Sequence, residues 1–168
     1  VISDSNQPLI VACMDYMFPI YKNVNSYPYL REYFVSGNPD SKDIISLHKE
    51  SLELVEQHDK NGLKEKIALF NRDISKGKAS NQLVDIMPAA LEGKIDSVFV
   101  ENQSDIFGNY TAEKATIERH SEHQIGENRS LMNWVVKKAI ESDSEIYLLE
   151  EDEMPEHADK IAALFRYE

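Results

Sequence analysis

The side chains with which this sequence could do chemistry are few: one cysteine, five histidines and one run of four acids. Cys13 lies inside the apolar run Leu9-Ile10-Val11-Ala12-Cys13-Met14. A reactive thiolate needs a polar, electropositive setting, so a core thiol is the favoured reading. His120 and His123 flank Glu122, which raises the question of a metal. A helical zinc signature places its histidines four apart with a glutamate directly after the first. That spacing fails here, and a solvated loop is favoured over a metal site. Asp15 directly follows an apolar run, and functional residues in open α/β sheets gather just past strand C-termini. A turn or capping role competes with that reading. Asp15, His120 and His123 therefore stand as weak candidates for a polar site, with no catalytic residue and no metal ligand assigned.

Two segments suit recognition better than chemistry. The stretch from Tyr16 to Tyr33 is rich in aromatic residues; these either fill a core or form a recognition surface, since tyrosine is enriched at interface hot spots. Tyr27 and Tyr29 are its partner-binding candidates. Lys and Arg are not interleaved with these rings, which speaks against a base-stacking platform. The run Glu150-Glu151-Asp152-Glu153 is either a solvated connection or a rim that steers a basic protein surface. It lacks the ligand spacing of an EF-hand. The six glycines are all isolated, so there is no dinucleotide fingerprint, no Walker loop and no nucleophile elbow. No cofactor is expected.

The elements that must position these residues follow from periodicity. Leu9 to Met14, Ile95 to Val100, Glu145 to Leu149 and Ile161 to Tyr167 read as buried strands, because short continuous apolar runs fit strands covered on both faces. Pro19 and Pro28 predict short helical pieces in the aromatic segment. A helical region follows Ser41, its plausible N-cap, and Asn61-Gly62 is expected to split it in two. Ser80 is expected to cap a helix that Gly93 ends, with Pro88 either kinking it or starting its last segment, and Asn128 to cap a helix carrying Leu131, Trp134, Val135 and Ala139. Asp105 to His120 reads as a small hairpin. Strands alternating with helices predict an α/β fold: a layered helix/sheet/helix domain with a mixed, mainly parallel sheet, all four runs in one sheet. Residues 1–7 read as a tail or linker and 8–168 as a single domain, a fragment of a longer protein.

The ordered motifs resemble the last domain of bacterial proteins related to the archaeal and eukaryotic peptide-chain release factor. The similarity lies in Pro8-Leu9-Ile10-Val11-Ala12-Cys13-Met14-Asp15-Tyr16-Met17-Phe18-Pro19-Ile20-Tyr21, in Asn25-Ser26-Tyr27-Pro28-Tyr29-Leu30, and in Gly37-Asn38-Pro39-Asp40. It continues in Gly77-Lys78-Ala79-Ser80, Pro88-Ala89-Ala90 and Gly93-Lys94-Ile95-Asp96-Ser97-Val98-Phe99-Val100. Glu153-Met154-Pro155 and Ala162-Ala163-Leu164-Phe165-Arg166-Tyr167 resemble its closing motifs. The resemblance implies an α/β domain that, in the release factor, binds a translational GTPase. The Gly-Gly-Gln loop of that factor's middle domain has no counterpart, since the chain contains no Gly-Gly pair. Ser142-Asp143-Ser144 stands where such proteins often carry paired glycines.

The resulting expectation is a non-catalytic protein-interaction domain of a release-factor-like protein, cytoplasmic, with a proposed role in translation or ribosome rescue. Its partner would be a protein, a translational GTPase or a ribosomal protein. The alternatives are a hydrolase acting on RNA or peptidyl-tRNA, and a structural or dimerising element. The formal net charge of −12 opposes docking to anionic lipid and to a phosphate backbone, whose affinity comes from a basic footprint. A filter-binding titration of the chain with RNA at physiological salt is expected to show affinity weaker than about 10⁻⁶ M, the tighter end of non-specific binding. Sub-micromolar binding would contradict the charge argument.

Overall fold

A computed structural model of the protein describes residues 7–166. Residues 1–6 of the expected tail, and Tyr167 at the end of the expected closing strand, lie outside the described residues. The chain divides into two compact units, residues 1–62 and 63–168.

In the first unit, strand β1 (Ala12–Cys13) pairs in parallel with β2 (Val35–Ser36), Ala12 opposite Val35. The pairing extends backward: the Leu9 N–H donates to the Tyr29 carbonyl, and the Arg31 N–H to the Leu9 carbonyl, each at 2.9 Å. Leu9 to Met14 was expected in the main sheet; it lies instead in this separate two-stranded ladder. The reason is the intervening helix α1 (Met17–Val24), which supplies the crossover that a parallel pair requires and so gives the run a nearby partner. Pro19 does not break α1. It is the helix's third residue, where its missing N–H would have had no intrahelical partner.

Helix α2 (Ile44–Asp73) spans 30 residues. It is capped by Asp43, whose Oδ1 accepts from the Ser46 N–H at 2.7 Å; Ser41 belongs to the preceding single turn. That hydrogen bond holds the Asp43 carboxyl below the usual carboxylate range. The expected break at Asn61-Gly62 does not occur. A helical glycine costs about 1 kcal/mol relative to alanine, less than the cost of re-nucleating a second helix.

The second unit contains the portion of α2 from Leu63 onward, then β3 (Ala79–Ser80), α3 (Leu83–Leu91), β4 (Ile95–Glu101), β5 (Phe107–Thr111), β6 (Thr116–His120), β7 (Arg129–Ser130), α4 (Leu131–Glu141), β8 (Glu145–Leu149) and β9 (Ile161–Phe165). The main sheet runs β3-β9-β4-β8. It is mixed, but not mainly parallel: β4 and β8 are parallel, whereas β9 is antiparallel to both its neighbours. The connections decide this. Helix α4 carries the chain back for the parallel β4–β8 pair, while the stretch between β8 and β9 holds one short turn at Glu151–Glu153 and no α-helix. Alternation along the strands then feeds two clusters. Val98, Val100, Ile161 and Ala163 meet α3 and α4. Phe99, Ala162 and Leu164 meet Phe70 of α2, with Phe70 and Phe99 edge to face at 6.0 Å.

The two helix caps depart from the sequence reading for simple reasons. The start of α3 is held by Ser80 from two residues before the cap residue Gln82, its Oγ accepting from the Gln82 N–H at 3.0 Å and donating to Asp85 at 2.7 Å. The helix continues through Pro88, because the carbonyl that proline leaves unpaired belongs to the exposed residue Val84, where water can satisfy it. Helix α4 is capped by Ser130, whose Oγ accepts from the Asn133 N–H at 2.9 Å; Asn128 is committed elsewhere. The expected hairpin is present as β5 and β6, with β7 adding a third antiparallel strand. Gly108 permits that pairing, since a Cβ there would come within 2.2 Å of the Glu118 carbonyl oxygen.

At the start of β4 and β8 a polar cluster ties α2 to the sheet. The Lys66 ammonium sits 2.7 Å from Asp96 and 3.1 Å from Glu145. Ser97 donates to Asp96 at 2.7 Å, and the Tyr147 hydroxyl to Glu145 at 2.8 Å. Burial opposes ionisation of Asp96, but hydrogen bonds from Lys66 and Ser97 outweigh it and hold the carboxyl below its ordinary 3.8. Burial, then the Glu145 bond, push the Tyr147 phenol up to about 12. Because the Asp96 carboxyl titrates lower folded than unfolded, its stabilisation is present above about pH 4 and fades as pH falls through the depressed value. Lys66→Met is expected to cost about 1 kcal/mol at pH 7, and the gap from the parent chain to narrow at pH 3. Urea unfolding at both pH values checks this; an equal gap at both would refute the ion-pair account.

Candidate functional site

In the first unit, α1 is anchored by a single buried side chain, Phe18, stacked on Phe34 with ring centroids 4.3 Å apart. Its other apolar residues face outward. Met17, Ile20, Tyr21 and Val24 recur at i, i+3, i+4 and i+7, the spacing that lines one side of a helix. All four are exposed, Ile20 at 62% and Val24 at 77%. Tyr16, just before the helix, is exposed as well. Lys22 is occupied by an ion pair with Glu32.

Tyr27 and Tyr29 meet edge to face at 5.7 Å. Tyr27 is half-buried and its hydroxyl donates to the Gln7 carbonyl at 2.7 Å, while Tyr29 is 41% exposed. Asp15 is exposed at the end of β1 and accepts a hydrogen bond from the Ser36 hydroxyl, joining the ends of the two parallel strands. A cleft nearby in sequence is lined by Phe34, Val35, Ser36, Glu50, Leu54 and Gln57, without Asp15. Cys13 is buried.

The other candidates belong to the second unit. His123 stacks on Phe107 at 5.2 Å and bonds Asn128 Oδ1 through Nδ1 at 3.0 Å. The buried Asn128 side chain organises this loop: its Oδ1 also accepts from the Gln124 N–H at 2.9 Å, and its Nδ2 donates to the Glu122 carbonyl at 2.8 Å. His120 pairs across β6 with Phe107 and lines a shallow polar depression with Asp105, Arg119, Ser121, Asp159 and Lys160. Asp105 is already engaged there, its Oδ1 accepting from Ser130 at 2.7 Å and its carbonyl from Lys160 at 3.2 Å. Among the described residues, no three His, Cys, Asp or Glu side chains are grouped to hold a metal.

The acidic run folds into a single turn. Glu153 reaches back to the Glu150 N–H at 3.2 Å, and Glu150 accepts from Asn102 at 2.9 Å. Two of the four acids thus have structural employment, and Glu151 and Asp152 project into solvent. Asp15, Tyr27 and Tyr29 lie in the first unit; His120, His123 and Glu150 to Glu153 lie in the second. The outward stripe of α1 is the feature sequence reading missed. Its spacing was legible, but spacing says which residues share a side and not whether that side meets solvent. The Lys66 cluster was missed because its members come from distant segments.

Residues 1–94, slightly more than half of the chain, match the model of Bacterial archaeo-eukaryotic release factor family 3. No curated protein matches. Among solved structures, the chain resembles the C-terminal domain of the peptide chain release factor from Methanosarcina mazei, at 10% identity and a TM-score of 0.51, covering 75% of this chain and 96% of that domain. It resembles archaeal Pelota in a model of ribosome-bound Pelota and ABCE1, at 12% identity and a TM-score of 0.51, covering 99% of this chain and 45% of that one. Pelota from Archaeoglobus fulgidus aligns at 17% identity with a TM-score of 0.49, over 99% of this chain and 50% of that one. The chain thus spans about half the length of the Pelota chains. The two likenesses at a TM-score of 0.51 speak to the fold, and the match over residues 1–94 to the family: the chain belongs to Bacterial archaeo-eukaryotic release factor family 3.

Proposed function

We propose that this chain is a non-catalytic protein-interaction domain of a release-factor-like protein, acting in the cytoplasm in translation or ribosome rescue. Its direct ligand is a protein, a translational GTPase or a ribosomal protein. The observation that carries the reading is the outward apolar stripe of α1. A helix in a folded unit ordinarily turns such a stripe inward, and a cluster of exposed apolar side chains marks a surface that another protein covers. Tyr29, with Tyr27 behind it, offers a rigid aromatic pair on the same unit, suited to a hot spot. Glu151 and Asp152 form a second patch that would attract basic protein surfaces. Family membership and the ribosome-bound state of the Pelota structure support a setting in translation. Asp15 meets a serine hydroxyl rather than a general base, which favours docking over hydrolysis.

Two measurements test the reading. Bacterial ribosomes with their bound translation factors are expected to co-sediment with the chain. Ile20→Glu and Val24→Glu are each expected to weaken that association by tenfold or more, about 1.4 kcal/mol, with circular dichroism unchanged because both positions are exposed. Undiminished binding by both variants would remove α1 from the interface. Release of peptide from peptidyl-tRNA by the chain alone, lost on Asp15→Ala, would overturn the non-catalytic assignment.

A further inference from the structure

The two edges of the main sheet are unlike. At one end β3 has two residues, Ala79 and Ser80, both buried. At the other end β8 has five, contains no proline and is bonded to β4 on one side only. Alternate N–H and C=O groups of β8 therefore point away from the sheet, with no strand among the described residues beside them. Native proteins usually blunt such an edge by shortening it, twisting it with a bulge or placing proline or charge within it. Here the interior of the strand carries apolar side chains instead. Ile146 is 37% exposed and Leu148 is 65% exposed. They share one face, opposite Val98 and Val100 of β4. The reverse face is finished: Tyr147 stacks on Phe99 at 5.4 Å, its hydroxyl bonded to Glu145, and Leu149 is buried. The strand is fixed in place before anything joins it, so a partner would not bear the cost of ordering it.

From this edge we infer a second docking site, one that takes an extended basic segment of another protein as a fifth strand beside β8. Main-chain hydrogen bonds would supply affinity, and the exposed Ile146 and Leu148 would select apolar side chains at alternate positions of the incoming strand. Charge sets the class of occupant. Glu145 opens β8, and Glu150, Glu151 and Asp152 follow it directly. Glu145 is already paired with Lys66, so a segment with Lys or Arg flanking its apolar positions meets open opposite charge chiefly at the end of the site where Glu150, Glu151 and Asp152 follow the strand. A second copy of this chain does not fit. Antiparallel self-pairing of β8 would bring the acids that follow the strand towards Glu145 of the other copy, which is itself acidic and already holds Lys66, so they would gain no cation. The site is separate from the α1 stripe, and neither depends on the other.

The probe is a synthetic peptide of about ten residues, alternating valine and threonine with two lysines at each end, titrated into the full chain by fluorescence anisotropy. Saturable binding is expected, weakening as salt rises, together with slowed hydrogen–deuterium exchange in β8. Leu148→Glu is expected to weaken it at least tenfold, as is the double change Glu151→Lys with Asp152→Lys. All three positions are exposed, so the variants should keep the parent's circular dichroism. The same peptide with one central valine replaced by proline, which cannot donate to the ladder, should not bind. Absence of saturable binding, or binding indifferent to Leu148→Glu, would overturn the proposal. So would concentration-dependent dimerisation of the chain that Leu148→Glu abolishes, since that assigns the edge to a second copy. Ile20→Glu, which tests the α1 stripe, should leave peptide binding unchanged.

Discussion

Strand β4 lies in the interior of the sheet, bonded to β9 on one side and β8 on the other, and both its faces are packed. A strand in that position must carry apolar side chains on both faces and leave no polar group without a partner. From Ile95 to Val100 only Asp96 is not buried. The single hydroxyl in the buried stretch, Ser97, is satisfied by donating to Asp96, and Asp96 is satisfied in turn by Lys66 of α2. The ion pair thus follows from the strand's burial: it compensates the one place where the run is not hydrocarbon. Phe99 shows the scale of the packing term, since truncating a buried phenyl ring costs about 3–5 kcal/mol, against about 1 kcal/mol for the ion pair.

Much of this was legible. The run at Ile95 to Val100, the closing strand, the stripe of α4 and the hairpin before it all declare themselves by period. What period does not carry is direction and neighbourhood. Nothing in Ile161-Ala162-Ala163-Leu164-Phe165 says that it returns antiparallel; that follows from the lack of a helix in the preceding connection. Nothing in Leu9 to Met14 says that its partner is the segment ending at Ser36. The candidate surfaces were harder still. Glu145-Ile146-Tyr147-Leu148-Leu149 reads like a strand buried on both faces, and an edge strand with a partner-facing side has the same letters. The aromatic segment poses the same ambiguity: Phe18 is core and Val24 is surface, and no local signal separates them.

The turn before β8 shows a backbone requirement met without glycine. Asp143 holds φ near +53, the left-handed region for which glycine is the usual solution. Aspartate tolerates it better than most residues because its short polar side chain suits tight turns. The neighbours secure the geometry. Ser144 donates to the Ile95 carbonyl at 2.8 Å, and Arg166 donates to the carbonyls of Ser142 and Asp143 at 2.7 and 3.0 Å. This chain holds the shape of the turn by hydrogen bonding rather than by the conformational freedom of a glycine.

The inequality of the sheet's edges also fixes a valence. A subunit that polymerises through its sheet needs two open edges, one to receive and one to offer, because a head-to-tail contact must repeat to make a fibre. This sheet has one, since the buried two-residue strand β3 closes the other. A strand added at β8 therefore extends the sheet on that side and the growth cannot be passed on through β3. An exposed apolar strand is ordinarily an invitation to open-ended aggregation; here the second unit acts as a chain terminator, able to end a sheet but never to serve as a link within one.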